Sequence, residues 1–225
     1  MNVKPIIELD KINYSYENFT ALANISLKIN PGEFIFLVGP NGSGKSTLFK
    51  LLNGLIFPQS GKYLFDGEEI NERSLKNTLF VKKFHKRLGY VFQNPDVQLF
   101  NPTVYDEIAF GPRQMNLPDE EITARVKSLL EFLNIEHLTN RAPYHLSGGE
   151  QKKVAIAAVL ALNPDVIIMD EPLNGLDNKS RNWVKSFLQE FSKAGKTLLI
   201  ATHEQELLSL DHSREIIFTE NHTIA

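Results

Sequence analysis

Cysteine is absent from the 225 residues. That excludes disulfides, thiolate nucleophiles and cysteine zinc sites, and it suits a reducing compartment. Charge of one sign is scarce as well: 24 Lys and Arg stand against 27 Asp and Glu, a formal net charge of −3. No broad field invites a polyanion such as nucleic acid, although a local basic patch is compatible with that total. Long apolar runs are missing. The most apolar stretch, "VAIAAVLAL" from Val154 to Leu162, falls well short of the about 20 residues that span a bilayer as a helix. The opening "MNVKPIIELDKI" carries no apolar core of signal-peptide length. A role at a membrane would therefore require docking on a partner that spans it. There is no internal repeat and no low-complexity tract.

What is present is ordinary for a globular chain: 42% apolar and 23% charged residues, in a length that permits one or two domains. "IIELDKINYSY" and "ALANISLKI" alternate and predict two antiparallel strands joined near Glu17–Thr20. "EFIFLVG" reads as a buried strand, with a helix from Lys45 to about Leu55 after it. The Asp-Gly inside "GKYLFDGEEI" signals a hairpin. The middle of the chain is more polar and more helical. There Ile122, Val126, Leu129, Leu130 and Leu133 fall on one helical face. "VIIMD" and "TLLIATH" read as buried strands of a parallel sheet. Between them Trp183, Val184, Phe187, Leu188 and Phe191 form a second helical stripe, most simply core packing. The expected architecture is α/β, with a helical part inserted between two halves of a core.

Two glycine-rich stretches carry chemistry. "GPNGSGKS", Gly39 to Ser46, matches G-x-x-x-x-G-K-[ST] between a predicted strand and a predicted helix. Gly39, Gly42 and Gly44 let successive N–H groups point inward. Those donors and the positive helix end suit phosphate oxygens. Lys45 is placed to reach β and γ phosphates, and the Ser46 hydroxyl to ligate Mg²⁺. "VIIMDEP" sets Asp170 and Glu171 at a strand's carboxyl end, where α/β sheets bind ligands. Asp170 is the metal-side carboxylate and Glu171 the candidate general base. The second stretch, "LSGGEQKK" from Leu146, offers the Ser147 hydroxyl, close backbone approach at Gly148 and Gly149, and a helix N-terminus, yet no lysine of the phosphate-loop kind.

"GPNGSGKST", "LSGGEQKK", "VIIMDEP", "GLD" and "TH" occur in the order and spacing of ATP-binding cassette (ABC) ATPases, and the chain resembles that family over nearly its whole length. The resemblance implies a single domain over residues 1–225, a P-loop NTPase core with a parallel sheet. Residues 1–70, with an N-terminal antiparallel β-subdomain, and 150–225 would form the core, and about 90–150 an inserted α-helical subdomain. It implies nucleotide binding by Gly39, Pro40, Asn41, Gly42, Ser43, Gly44, Lys45, Ser46 and Thr47, with Mg²⁺ held by Ser46, Gln93 and Asp170. It also implies that Ser147, Gly148, Gly149 and Glu150 bind the γ-phosphate held by a second subunit, two ATPs being sandwiched head to tail. By the same resemblance Gln93, in "YVFQNPD", contacts Mg²⁺ and the attacking water, Asp177 lines the dimer interface, and His203 bonds the γ-phosphate. Tyr16 resembles the aromatic that stacks on adenine, with Tyr14 as its rival. His85, His137, His145, His212 and His222 show no ligand spacing.

Within the family, "VFQNPDVQLFNPTVYDEIAFGPRQMNLP" is similar to the ATPases of energy-coupling-factor importers of cobalt, nickel, biotin or other vitamins. That implies a peripheral place on the cytoplasmic face of the cell membrane. The implied partners are a transmembrane coupling protein and a substrate-binding membrane protein, without nucleic acid. Asp96 and Glu107 would meet arginines of the coupling protein, and Gln98, Leu99 and Phe100 would wall its groove. Val97 and Asn174 depart from the usual pattern. The ending "EIIFTENHTIA", near the expected edge of the core, favours a homodimer over a pair of close paralogues. The rival expectations are another ABC transporter class, and a soluble ABC ATPase acting on nucleic acid or ribosomes. For the latter, "KKFHKR" (82–87) is the one favourable feature, read more simply as a solvated face.

Overall fold

The two alternating stretches form β1 (Ile7–Tyr16) and β2 (Phe19–Ile29), an antiparallel pair that turns at Glu17, whose φ is 47°. The computed structural model describes residues 4–225. Residues 1–3, the head of the stretch read for a signal peptide, lie outside it. Next come β3 (Phe34–Val38) and α1 (Lys45–Leu52). The helix stops short of Leu55 because Gly54, at φ 68°, closes a Schellman turn, with Gly54 N–H on the Leu51 carbonyl and Leu55 N–H on that of Lys50. The Asp-Gly pair joins β4 (Ser60–Phe65) to β5 (Glu68–Glu69), with φ 51° and 80° as a type I′ hairpin requires.

Helices α2 (Glu72–Leu75) and α3 (Thr78–Arg87) lead into β6 (Leu88–Val91). The helices α4 (Val104–Gln114), α5 (Asp119–Leu133) and α6 (Gly148–Leu160) come after it. The chain closes with β7 (Val166–Asp170), α7 (Asn178–Lys193), β8 (Thr197–Ala201), α8 (Gln205–Leu208) and β9 (Ser213–Ile217). No helix among the described residues is long and apolar enough to cross a membrane.

The fold is the expected α/β architecture. One sheet is antiparallel, in the order β2-β1-β4-β5. The other is parallel, in the order β6-β7-β8-β3-β9. The parallel strands β3, β7 and β8 are apolar almost throughout because both faces are covered. Ile35, Leu37, Ile168 and Leu199 enter one core, shared with the antiparallel sheet and α1. Phe34, Phe36, Ile167, Met169, Leu198 and Ile200 enter a second, against α6 and α7. A third core joins α4, α5 and α6. Ile122, Val126, Leu130 and Leu133 are buried as their spacing predicts, with Leu129 at the edge. Each fully buried side chain of this size contributes about 1.5–3 kcal/mol.

Helix α6 is a common wall: Ala155 and Ile156 face the second core, and Val154 and Ala157 the third. The strand register is level at the carboxyl edge, since Asp170 and Leu37 both pair with Ala201, and Val91 with Met169. Residues just beyond β3, β6, β7 and β8 therefore emerge side by side.

Candidate nucleotide site

That edge opens into a cleft of about 320 Å³, lined by Asn41, Gly42, Gly44, Lys45, Ser46, Thr47, Gln93, Asp170, Glu171, Asn174 and His203. Gly39 (φ 152°) and Gly44 (φ 111°) could not be other residues. A Cβ on Gly39 would lie 2.5 Å from the Phe218 carbonyl oxygen, and one on Gly44 2.3 Å from that of Ala21. Helix α1 starts at Lys45 with no side-chain cap and no acidic residue in its first turn. Its leading N–H groups are left for an anion. The Ser43 hydroxyl is buried and unpartnered. Lys45 is 8% exposed and donates to the carbonyls of Gly39 (2.8 Å) and Pro40 (3.0 Å). Burial pulls its ammonium below the usual lysine range, against Glu171 and Asp170, which hold the charge on. The phosphate loop thus offers N–H donors, a free hydroxyl and one ammonium, as a polyphosphate requires.

Asp170 ends β7 and is buried, which lifts its carboxyl above the ordinary value, while the Ser46 hydroxyl beside it pulls the other way. Glu171 sits at φ 44°, a left-handed conformation that costs a side-chain-bearing residue on the order of 1–3 kcal/mol. Its N–H is anchored on the Ala201 carbonyl at 2.9 Å, so the reversal turns the side chain back over the cleft. There its Oε1 lies 2.8 Å from Nδ1 of His203.

The Glu171 contact raises the His203 pKa. Stability from this pair is complete below the ordinary histidine value and is lost as pH climbs through the raised one. In the nucleotide-free protein, an NMR titration of the His203 ring should give a midpoint above 6.5. In Glu171→Gln it should return to the ordinary value, and an unchanged midpoint would show that the contact is not formed.

Donor chemistry fits a hard divalent cation. Ser46, Asp170 and Gln93 present oxygens to one cleft. Among the described residues no group of three or more His, Cys, Asp or Glu forms a metal cage. A cation here would take its other ligands from phosphate and water, the habit of Mg²⁺.

The remaining sequence-predicted residues lie elsewhere. Tyr16 is 39% exposed, with Lys50 Nζ 5.9 Å from its ring centre, whereas Tyr14 packs against the first core. The freer aromatic face is therefore that of Tyr16. Ser147, Gly149, Glu150 and Asp177 line a separate cleft of about 320 Å³ with Lys153 and Trp183. Ser147 caps α6: it donates its hydroxyl (2.7 Å) and N–H (2.8 Å) to Glu150, in a capping box. Asp177 caps α7, accepting from Ser180 N–H at 2.8 Å.

The structure also corrects some expectations. Glu107 is no exposed charge: it is 4% exposed, and its Oε2 accepts from the N–H groups of Phe100 (3.0 Å) and Asn101 (2.7 Å). Asp96, by contrast, stays exposed, with Gln151 donating to it at 2.9 Å. Leu99 packs between two cores and does not wall a groove. Phe100 does, edge-on to Phe110 at 5.0 Å, over a cleft of about 210 Å³ between α4, α6 and β6. Two charges of "KKFHKR" are paired, Lys83 with Glu68 at the surface and Arg87 with Asp66 and Asp165. Sequence reading missed Lys152, which is 1% exposed and whose ammonium burial pushes down to about 8. It also gave little weight to Asn174, which faces the cleft. The one available signal for Lys152 was its place just ahead of an apolar helical run.

Comparison with known proteins agrees with this geometry. The family model described as ABC transporter matches residues 22–174. An ABC transporter ATP-binding protein of Clostridium acetobutylicum is 52% identical over 219 residues, 97% of this chain and 91% of the relative. The nickel import ATP-binding protein LarO of Lactiplantibacillus plantarum is 45% identical over 219 residues, 97% and 91% of the two chains. The energy-coupling factor transporter ATP-binding protein EcfA of Methanothermobacter thermautotrophicus is 42% identical over 221 residues, 98% and 70% of the two chains. Among solved structures, cbiO1 of Clostridium perfringens, part of the ABC transporter complex cbiONQ, superposes with a TM-score of 0.85 at 37% identity, covering 99% of this chain and 87% of that one. A bacterial ABC transporter cassette solved as a dimer gives 0.84 at 28% identity, over 97% and 96%. The same cassette is also known in a post-hydrolysis state with ADP and Pi. A phosphate-loop cleft built in this way, within a fold and sequence shared with these proteins, places the chain in the ABC transporter family as an ATP-hydrolysing subunit.

Proposed function

We propose that this chain powers an energy-coupling-factor type importer of a transition-metal ion or vitamin, as a nucleotide-sandwich dimer on the cytoplasmic face of the membrane. The observation that carries the dimer reading is the separation of the two glycine motifs. The phosphate loop and the Ser147 end of α6 open on different clefts of one chain, so a second copy or paralogue is needed to bring them together. The importer reading draws on the nickel-import and energy-coupling-factor relatives and on the exposed Phe100–Phe110 groove, suited to an apolar helix of a membrane partner.

The roles follow from placement. Tyr16 stacks on adenine. The α1 N-terminus and Lys45 hold the phosphates. Mg²⁺, held by Ser46 and Asp170 with Gln93 nearby, would neutralise charge on the phosphate oxygens. Glu171 takes the proton of the attacking water, Gln93 orients that water, and His203 exchanges its bond to Glu171 for one to the γ-phosphate. Ser147, Gly148 and Gly149 receive that phosphate from the other subunit, beside Glu150 and Asp177. Loss of phosphate weakens the bridge and the dimer opens as a rigid-body change.

Affinity purification of the tagged chain from its own cell membranes tests the reading. A coupling protein and a substrate-binding membrane protein should be retained, and Phe100→Asp should release them while ATP binding persists. Retention of ribosomal proteins instead would overturn it.

A further inference from the structure

Lys152 has no part in the hydrolytic chemistry, yet it is a charged group held almost wholly out of water. Its ammonium donates to the carbonyls of Phe92 (3.1 Å) and Gln93 (2.9 Å). A buried ammonium is costly unless its donors are occupied, so this contact is strongly held. Two further side chains tie the same loop to the same helix. Gln98 accepts from the Phe92 N–H (3.0 Å) and donates to the Ala155 carbonyl (3.0 Å). Gln151 donates to Asp96 at 2.9 Å. Helix α6 and the loop from Phe92 to Gln98 therefore form one piece. Its two ends face different clefts: Ser147 borders the one beside Asp177, and Gln93 the phosphate-loop cleft.

We propose that Lys152 is a positioning residue that transmits closure at the Ser147 end of α6 to Gln93, so that engaging the partner's nucleotide sets Gln93 over this chain's own. The inference rests on the nucleotide-sandwich dimer. Lys152 touches no nucleotide; it acts through the backbone of Gln93. Both chains of a dimer carry the tether, so closure at one site is felt at the Gln93 of the other.

Lys152→Met keeps the apolar stem and removes the ammonium. Turnover is measured against ATP concentration, and ATP-driven dimer formation is followed in the Glu171→Gln background. The expected result is a split. The kcat falls on the order of 10-fold or more, as loss of a charge-assisted bond implies. Half-saturating ATP stays within about twofold. The Hill coefficient stays above one because two ATPs still bridge the pair, and Lys152→Met/Glu171→Gln still dimerises on ATP. Gln98→Leu cuts the second tether and should show the same split to a lesser degree, which decides the matter if Lys152→Met does not fold. A wild-type kcat in the variants would overturn the proposal. So would loss of the ATP-driven dimer along with turnover, because Lys152 would then serve the interface itself. If Glu171→Gln alone fails to dimerise on ATP, the dimer reading falls, and the transmission with it.

Discussion

Glu171→Gln should bind ATP as the wild type does and hydrolyse it on the order of 10²–10⁴-fold more slowly, the usual worth of a positioned base. The substitution is close to isosteric, and Gln can keep the left-handed backbone and the anchor of residue 171 on Ala201. What it removes is the proton acceptor. On the proposed sandwich dimer, a nucleotide that is held but not cleaved keeps bridging the two subunits, so the variant should elute as an ATP-dependent dimer by size exclusion. Turnover near the wild-type rate would discard the general-base role.

Lys45→Met should fail one step earlier. Lys45 rests on the carbonyls of Gly39 and Pro40 in a cleft that also holds Asp170 and Glu171. Without the ammonium, the polyphosphate meets two carboxylates with only N–H dipoles and the proposed Mg²⁺ to offset them. Charge-assisted bonds are worth about 1.5–3 kcal/mol each, so ATP affinity should fall on the order of 100-fold or more. The two variants are separable although both lack turnover: with ATP, Glu171→Gln is a dimer and Lys45→Met a monomer. ATP affinity within a few-fold of wild type in Lys45→Met, by calorimetry, would show that the helix terminus alone holds the phosphates.

Much of the nucleotide site is legible in the sequence because the deciding physics is local. The phosphate loop needs glycines at positions where a Cβ would strike Phe218 or Ala21, and those glycines can be read directly. Strands β3, β7 and β8 are buried on both faces, so their apolar runs are plain. Strands β6 and β9 are not evident: β6 has only four residues, and β9 is half exposed at the sheet edge. Their pairing is a property of the sheet and not of the segment. The burial of Glu107 and Lys152 is not legible for a related reason. Charged residues are expected at the surface, and only the fold reveals loop N–H groups around one and loop carbonyls around the other. The choice between Tyr14 and Tyr16 likewise depends on what lies behind the strand, which alternation cannot report.

The Ser147–Glu150 capping box bears on how long two subunits stay together. On the proposed sandwich dimer, a phosphate arriving from across the interface would find the serine already satisfied and a carboxylate of its own sign in the way. Binding is then a trade of one charge-assisted bond for another, and the net gain is the difference between them. An embrace secured by such a trade lets go readily once phosphate departs, as a pump that must reset on every cycle requires. Glu150→Gln should accordingly lengthen the lifetime of the ATP-held pair, measured by dissociation after nucleotide removal; an unaltered lifetime would mean the carboxylate offers no opposition.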